Sequence, residues 1–183
     1  GNVLSDLEMK PGLKWFPNIS LNFAENLLKH KNDELAIISK NENSDLVKIT
    51  YNELYLSVAK LAYSLKKLGL KQGDRVAAVL PNSHEAVIAM LATTSIGAIW
   101  SSCSPDFGIA SVTDRFKQIE PKFIFSINAY YYNGKSFDFH EKLNSIIENL
   151  PSLEKIIISK PGTLQSSKSK PYLDFSDLLE NEE

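Results

Sequence analysis

Three histidines and one cysteine are the side chains best suited to catalysis or metal binding, and their positions support little chemistry. His30, His84 and His140 lie far apart, without the spacing of metal ligands. Cys103 is either a nucleophile or an inert, partly buried thiol, and the second is favoured because no His or Lys neighbour can be argued. Neither G-x-G-x-x-G nor G-x-x-x-x-G-K-[ST] occurs. The sequence predicts no catalytic residue and no metal site in this chain.

A polar loop that follows an apolar strand is the first candidate for ligand binding. It runs over residues 101–107, between two aromatic side chains. In parallel sheets, ligands bind beyond the carboxyl ends of strands. We therefore predict that Trp100, Ser101, Ser102 and Phe107 line a substrate crevice, in which the aromatic rings supply apolar surface. An ordinary strand-to-helix connection is the alternative, and the residues alone leave both open.

The second candidate is the turn formed by Tyr132, Asn133, Gly134 and Lys135. An aromatic ring beside an ammonium group can stack on a base and pair with a phosphate. The same four residues also suit a plain surface loop. The four residues alone do not distinguish a ligand-binding turn from a plain surface loop.

These candidates are positioned by a unit that reads as strand, helix and strand. Val76–Leu80 is a short apolar run typical of a strand covered on both faces. Asn82 and Glu85 are placed to cap a buried helix, and Gly97 is placed to close it. The next strand covers residues 99–101. So short a connection predicts two parallel neighbouring strands.

The rest of the chain repeats this alternation. Helices are predicted over 108–119 and 138–150, the second capped by Asp138 and Glu141, and strands over 123–127 and 155–159. The fold class is therefore α/β, with a mainly parallel sheet and helices on both faces.

The N-terminal part predicts a small hairpin and two helices. The hairpin joins strands at 35–39 and 46–50. A capping box of Thr50 and Glu53 opens a long amphipathic helix that ends at Gly69. Before the hairpin, a short helix capped by Asn18 or Ser20 is expected to end near Leu28, with three apolar residues facing inward: Phe23, Leu27 and Leu28.

The expected organisation has four parts. Residues 1–14 form an N-terminal arm, and 15–159 form the α/β subdomain. Residues 160–171 are rich in Lys, Ser and Pro and are predicted to be a linker. Residues 172–183 are predicted to contain a short helix that leads to a remainder of the protein. Gly1 is not preceded by Met, which favours a piece of a longer chain.

Composition excludes several classes of protein. A net charge of −2 gives no electrostatic support for binding nucleic acid. One cysteine rules out an internal disulfide, and no apolar run is long enough to cross a bilayer. No signal peptide is recognisable, so a cytoplasmic location is expected. Composition leaves the oligomeric state open.

Several short segments carry a family resemblance in their order and spacing. They are Thr50-Tyr51-Asn52-Glu53-Leu54; Gly73-Asp74-Arg75-Val76 with Leu80-Pro81-Asn82 and Glu85-Ala86-Val87; and Gly97-Ala98-Ile99 with Asp114-Arg115 and Pro121-Lys122. This set resembles the adenylate-forming acyl-CoA synthetases. Two further segments are similar to one branch of that family, the acetoacetyl-CoA synthetases: Trp15-Phe16-Pro17 with Leu21-Asn22-Phe23-Ala24-Glu25-Asn26-Leu27-Leu28, and Trp100-Ser101-Ser102-Cys103-Ser104-Pro105-Asp106-Phe107-Gly108.

The resemblance implies a ligase that uses ATP, CoA and Mg²⁺. In the family, a carboxylate attacks ATP to give an acyl-adenylate and pyrophosphate, and the CoA thiol then displaces AMP. The phosphate-binding loop and the C-terminal lysine of the family have no counterpart in this chain. We therefore expect an N-terminal part of an acetoacetate–CoA ligase, inactive by itself and without a bound cofactor. Its partners would be a small carboxylate and the rest of the same polypeptide.

The resemblance also gives the turn at Tyr132 a role. In related acetyl-CoA synthetases, an Arg-Gly-Gly-Arg-like turn at this position contacts the nucleotide end of CoA. Gly134 matches that turn and Lys135 keeps its second positive charge, whereas Tyr132 and Asn133 depart from it. The four residues are therefore expected to bind CoA, with Lys135 contacting a phosphate. Two alternatives remain: another short- or medium-chain acyl-CoA ligase, and a non-catalytic α/β interaction module.

Overall fold

The structure is a computed structural model that describes residues 3–4, 11–43, 45–159 and 171–180. Its helices are α1 (Phe23–Leu27), α2 (Tyr51–Lys67), α3 (His84–Ser95), α4 (Ile109–Ile119), α5 (His140–Glu148) and α6 (Phe175–Glu180). Its strands are β1 (Leu35–Ser39), β2 (Val47–Thr50), β3 (Arg75–Val79), β4 (Ile99–Cys103), β5 (Phe123–Ile127), β6 (Ala129–Tyr132), β7 (Lys135–Asp138), β8 (Lys155–Ser159) and β9 (Tyr172–Asp174).

Five strands form one sheet in the order β4-β3-β5-β8-β9, and every neighbouring pair is parallel. The chain steps to one side between β3 and β4 and to the other side from β4 to β5. Right-handed crossovers therefore place α3 on one face of the sheet and α4 and α5 on the other. In agreement, α3 packs against α2, and α4 packs against α5. The predicted parallel α/β fold with helices on both faces is confirmed.

The central strands are apolar because both of their faces are covered. All five residues of β5 are buried, as are four of the five in β3 and in β8. Burial on both faces removes the alternation of a half-exposed strand and leaves continuous apolar runs. The core therefore lies along the middle of the sheet, and its largest fully buried side chains include Phe116, Phe123 and Phe125.

The hairpin and the long helix after it form as predicted. β1 and β2 pair antiparallel. The Thr50 hydroxyl oxygen accepts the Glu53 amide at 3.2 Å, and the Thr50 amide donates to the Glu53 carboxylate at 2.7 Å. At the other end of α2, Gly69 adopts φ = 95° and the Leu70 amide donates to the Leu65 carbonyl at 3.0 Å. This 6→1 hydrogen bond is the closure that a helix-ending glycine provides.

The predicted start of the first helix is wrong. Its cap is Asn22, not Asn18 or Ser20, and the Asn22 side-chain oxygen accepts the Glu25 amide at 3.1 Å. The Asn22 side-chain amide also donates to the carbonyl of Ser95 at 3.0 Å. Asn22 thus begins α1 and joins it to the end of α3, a tertiary contact that local sequence does not reveal.

The buried face of α1 also differs from the prediction. Ala24 and Leu28, four residues apart, are buried. Phe23 and Leu27 were predicted to face inward, but they are 56% and 46% exposed. Of the three residues predicted to face inward, only Leu28 is buried, whereas the predicted end of the helix near Leu28 is correct.

Two other caps also differ from the prediction. The cap of α3 is Ser83 rather than Asn82, and the buried Glu85 side chain lies 3.3 Å from His84 Nδ1 instead of reaching back along the helix. Asp138 ends β7, so α5 begins at His140, whose amide donates to the Asp138 carboxylate at 2.7 Å.

The C-terminal part contains a strand that the sequence did not suggest. Residues 172–183 were predicted to contain only a short helix, yet β9 pairs with β8 before α6 begins. A three-residue strand is too short for periodicity to distinguish it from a helix start. All of the predicted linker at 160–171 except residue 171, and most of the N-terminal arm, lie outside the described residues, and these boundaries stay predictions.

Candidate functional site

The carboxyl ends of three neighbouring strands meet at one edge of the sheet. β4, β3 and β5 run parallel. The chain passes from β3 to β4 on one side of β3 and then crosses to β5 on its other side, so the direction of the connections reverses here. Ligands in open α/β sheets bind at such a reversal, beyond the carboxyl ends. The segments at this edge are the loop 80–83 after β3, the loop 104–108 after β4, and the β6–β7 hairpin after β5.

A cavity of about 500 Å³ opens beside this edge. One wall comes from the end of β1, another from α3, and the rest from β4 and the loop after β3. The wall is apolar at several positions and carries polar groups at others: Ile37, Val87, Met90 and Trp100, with Lys40 and Ser102. An apolar lining with a few polar groups suits a small organic molecule that has one charged end.

The structure separates the four predicted crevice residues. Trp100 and Ser102 line the cavity, and the Trp100 ring packs on Phe125 with centroids 5.9 Å apart. Ser101 lies between them on a strand, where successive side chains point to opposite faces, so it does not share their wall. Phe107 lies further along, with the Arg115 guanidinium 5.3 Å from its ring centroid.

The loop after β4 is held by contacts from α5. Lys142 Nζ donates to the Pro105 carbonyl at 2.6 Å. Burial lowers the pKa of Lys142, and the nearby Asp106 charge partly opposes this. A hydrogen bond from the Ser104 side chain, assisted by the loop backbone and by Lys142, lowers the pKa of Asp106. These contacts hold the loop in place beyond the carboxyl end of β4.

Cys103 has the character of a structural thiol. It is buried at the end of β4. Burial raises the pKa of its thiol, and the charge of Arg115 only partly opposes that effect. A raised pKa disfavours the thiolate, which is the nucleophilic form. The inert-thiol alternative is therefore the better supported one.

The turn proposed for CoA binding is the tip of the β6–β7 hairpin. Tyr132 and Lys135 face each other in register across the tip, with Asn133 and Gly134 between them at φ = 51° and 71°. Positive φ at both central residues is the geometry of a tight hairpin turn, for which Asn-Gly is favoured. The tip is exposed, and Tyr132 is 64% exposed.

A carboxylate from a distant loop binds this turn. The Asn133 amide donates to Oε1 of Glu42 at 3.0 Å, and the Gly134 amide donates to Oε2 at 2.8 Å. Glu42 belongs to the connection between β1 and β2. At the base of the hairpin, Tyr130 stacks on Phe137 and meets the buried Phe139 edge-on. The hairpin is thus held at its tip by Glu42 and at its base by aromatic contacts.

Sequence reasoning missed Glu42, and also Lys40, Val87 and Met90 in the cavity wall. The β1–β2 hairpin meets the sheet edge through tertiary packing, which local patterns do not encode. Val87 and Met90 were assigned to a buried helix, but both are only partly buried there. Their position beside Trp100 depends on the orientation of α3, which the sequence could not supply.

Metal and membrane sites are not found in the part of the chain that the structure describes. No group of three or more His, Cys, Asp or Glu side chains is placed to hold a metal ion in that part. Within the same residues, no helix combines the length and apolar character needed to cross a bilayer.

The sequence pattern of the family described as AMP-binding enzyme matches residues 23–179. The chain belongs to the AMP-binding enzyme family. The match covers the parallel sheet, its flanking helices and the candidate site. It confirms the resemblance to adenylate-forming enzymes that the short motifs indicated.

Individual relatives show which members of this family the chain resembles. The chain is 53% identical over 172 residues to acetoacetyl-CoA synthetase of Gallus gallus, covering 91% of this chain and 26% of that protein. It is 45% identical over 137 residues to acetoacetyl-coenzyme A synthetase of Rhizobium meliloti (strain 1021), covering 75% of this chain and 21% of that one. The predicted similarity to acetoacetyl-CoA synthetases is confirmed.

The solved structure of acetoacetyl-CoA synthetase from Streptomyces lividans has the same fold, with a TM-score of 0.89 at 38% identity. The alignment covers 99% of this chain and 28% of that chain. The chain therefore spans about a quarter of the length of the relatives that it matches.

Proposed function

We propose that this chain is part of an acetoacetate–CoA ligase, which joins acetoacetate to CoA and converts ATP to AMP and pyrophosphate. The similarity to proteins named acetoacetyl-CoA synthetase, at 53% identity for the Gallus gallus protein, carries the proposal. A carboxylate oxygen of acetoacetate attacks the α-phosphorus of ATP and expels pyrophosphate. The CoA sulfur then attacks the acyl carbon and expels AMP, so that atoms balance over two steps.

The cavity beside β4 is the proposed contribution of this chain to substrate binding. Trp100 supplies an aromatic surface that Phe125 holds in place. Ser102 and Lys40 offer a hydroxyl and an ammonium group within the same lining. Ser101 and Phe107 do not line this cavity, and their part in substrate binding stays a prediction.

The β6–β7 tip is the proposed contact with CoA. Lys135 provides the positive charge, Asn133 and Gly134 provide backbone amides, and Tyr132 provides an exposed ring. Phosphate groups bind to ammonium side chains and to converging amides. The position of the tip, directly after β5 at the carboxyl edge of the sheet, supports this assignment.

The Mg²⁺ expected for the reaction is not assigned to this chain. The described residues offer no cluster of acidic or histidine ligands for it. Likewise, the sequence contains no glycine-rich loop of the G-x-x-x-x-G-K-[ST] type to hold the ATP phosphates. ATP use belongs to the proposed activity of the whole protein, for which a cytoplasmic location also stays a prediction.

Substrate-dependent release of AMP by the whole protein tests this proposal. With ATP, Mg²⁺ and CoA, we expect AMP release that depends on acetoacetate. Without CoA, we expect about one equivalent of pyrophosphate per enzyme from the first step and no release of AMP. Release that responds instead to a longer acid would favour another acyl-CoA ligase. No release with any short or medium acid would favour a non-catalytic module.

A further inference from the structure

The tip of the β6–β7 hairpin carries an anion site that is already filled. Two successive amides, from Asn133 and Gly134, each donate to one oxygen of the Glu42 carboxylate, at 3.0 and 2.8 Å. Consecutive amides that converge in a turn are a common way to bind an anion. Here the anion comes from a residue 91 positions away, in an exposed loop.

We propose that Glu42 is an internal competitor for the phosphate that this turn binds. Two amide protons that point at the Glu42 oxygens are not available to a phosphate at the same time. The two anions would also repel each other at this distance. Phosphate binding at the tip therefore requires the Glu42 carboxylate to leave the two amides. The identification of that phosphate as one of CoA rests on the proposed function.

A phosphate group has chemical advantages over the carboxylate at this site. It carries up to two negative charges and three acceptor oxygens, and Lys135 directly follows Gly134 in sequence. Charge-assisted hydrogen bonds of this type are stronger than neutral ones. The Glu42 contact is exposed to solvent, so it can open readily, and its effect is a modest weakening rather than a block.

Neutralising the competitor should tighten phosphate binding. Glu42→Gln keeps the size of the side chain and removes its charge. A closed state that is favoured severalfold reduces apparent affinity by the same factor. We expect about three- to tenfold tighter binding in Glu42→Gln. Asp45→Asn, in the same connection, removes one negative charge without a contact to the tip amides and should leave the affinity within about twofold.

Amide resonances of Asn133 and Gly134 report the site directly. The chain and both variants are titrated with inorganic phosphate, with CoA and with CoA lacking its 3′-phosphate, and the two amide shifts are followed by NMR. We expect both amides to respond in every protein, at severalfold lower concentration in Glu42→Gln. Equal or weaker binding in Glu42→Gln would overturn the proposal, as would amides that respond in none of the proteins.

The same titrations separate this inference from the proposed function. Suppose that inorganic phosphate shifts the two amide resonances and binds more tightly to Glu42→Gln, whereas CoA shifts neither resonance. Then Glu42 does compete with phosphate, and the assignment of that phosphate to CoA is wrong. If CoA shifts the amides equally in all three proteins, CoA binding stands and Glu42 serves only to brace the hairpin.

Discussion

Lys122→Met should destabilise the fold by removing one partly buried network at the amino edge of the sheet. Lys122 Nζ donates to Asp74 Oδ2 at 2.9 Å and to the Gly69 carbonyl at 2.7 Å. Gly69 closes α2, Asp74 immediately precedes β3, and Lys122 immediately precedes β5. One ammonium group thus links a helix end to the starts of two central strands.

The size of the effect follows from the exposure and number of these contacts. The side chains of Lys122 and Asp74 are 21% and 24% exposed. A hydrogen bond to a charged group contributes about 1.5–3 kcal/mol, and full burial would raise the loss on breaking a pair to about 3–5 kcal/mol. For this partly buried network we expect a loss of about 2 kcal/mol. In a domain of this size, that lowers Tm by roughly 4–8 °C.

Denaturant unfolding of the chain measures this loss. Lys117→Met is the matched control, since the exposed Lys117 Nζ reaches Asn149 Oδ1 only at 3.4 Å. We expect the control to stay within about 0.5 kcal/mol of the parent. The double variant of Lys122→Met with Asp74→Asn should lose less than the sum of the single losses, because both remove one interaction. A Lys122→Met protein as stable as the control would show that this network does not stabilise the fold.

The network also predicts how stability depends on pH. Burial tends to raise the pKa of Asp74, but hydrogen bonds from Lys122 and the Lys71 amide, with the charges of Lys122 and Arg75, outweigh burial and lower that pKa. A lowered pKa in the folded state stabilises the fold above the unfolded pKa of about 3.9, and that contribution disappears as pH falls through the folded pKa. The difference in unfolding free energy between parent and Asp74→Asn should therefore be constant at neutral pH and shrink below about pH 4.

Three further predictions concern the core, the CoA contact and the activity of the chain. Leu61→Ala, at a fully buried position of α2, should reduce the unfolding free energy by about 2–5 kcal/mol. Leu56→Ala, on the exposed side of that helix, should stay within about 1 kcal/mol of the parent, and denaturant unfolding measures both variants. In the whole protein, Lys135→Ala should raise the KM for CoA about five- to thirtyfold and leave ATP–pyrophosphate exchange unchanged, because CoA is absent from that step; an unaltered KM would remove Lys135 from the site. The 183-residue chain alone should release no pyrophosphate from ATP and acetoacetate, since it lacks a phosphate loop and the family's lysine, and measurable release would contradict this.

Elements whose signals are local were predicted well. The capping box of Thr50 and the glycine at 69 mark both ends of α2 because each acts within one helical turn. The apolar runs of β3, β5 and β8 indicate a buried parallel sheet because both faces of each strand are covered.

Features that depend on contacts between distant parts of the chain were not predicted. Asn22 caps α1 while its side chain binds the end of α3, and that second contact selects the start of the helix. β9 exists because β8 offers it an edge. At the site, the Tyr132–Lys135 turn was visible in the sequence, but its carboxylate partner Glu42 is 91 residues from Asn133, beyond the reach of any local pattern.

Paired specificity constants test whether this chain belongs to a ligase specific for acetoacetate. The whole protein is assayed for acyl-CoA formation with acetoacetate and with acetate, at saturating ATP and CoA. We predict a kcat/KM for acetoacetate at least about tenfold above that for acetate, because a pocket built for the longer acid gains contacts that acetate cannot make. Equal constants, or a preference for acetate, would show that the protein is not a ligase specific for acetoacetate.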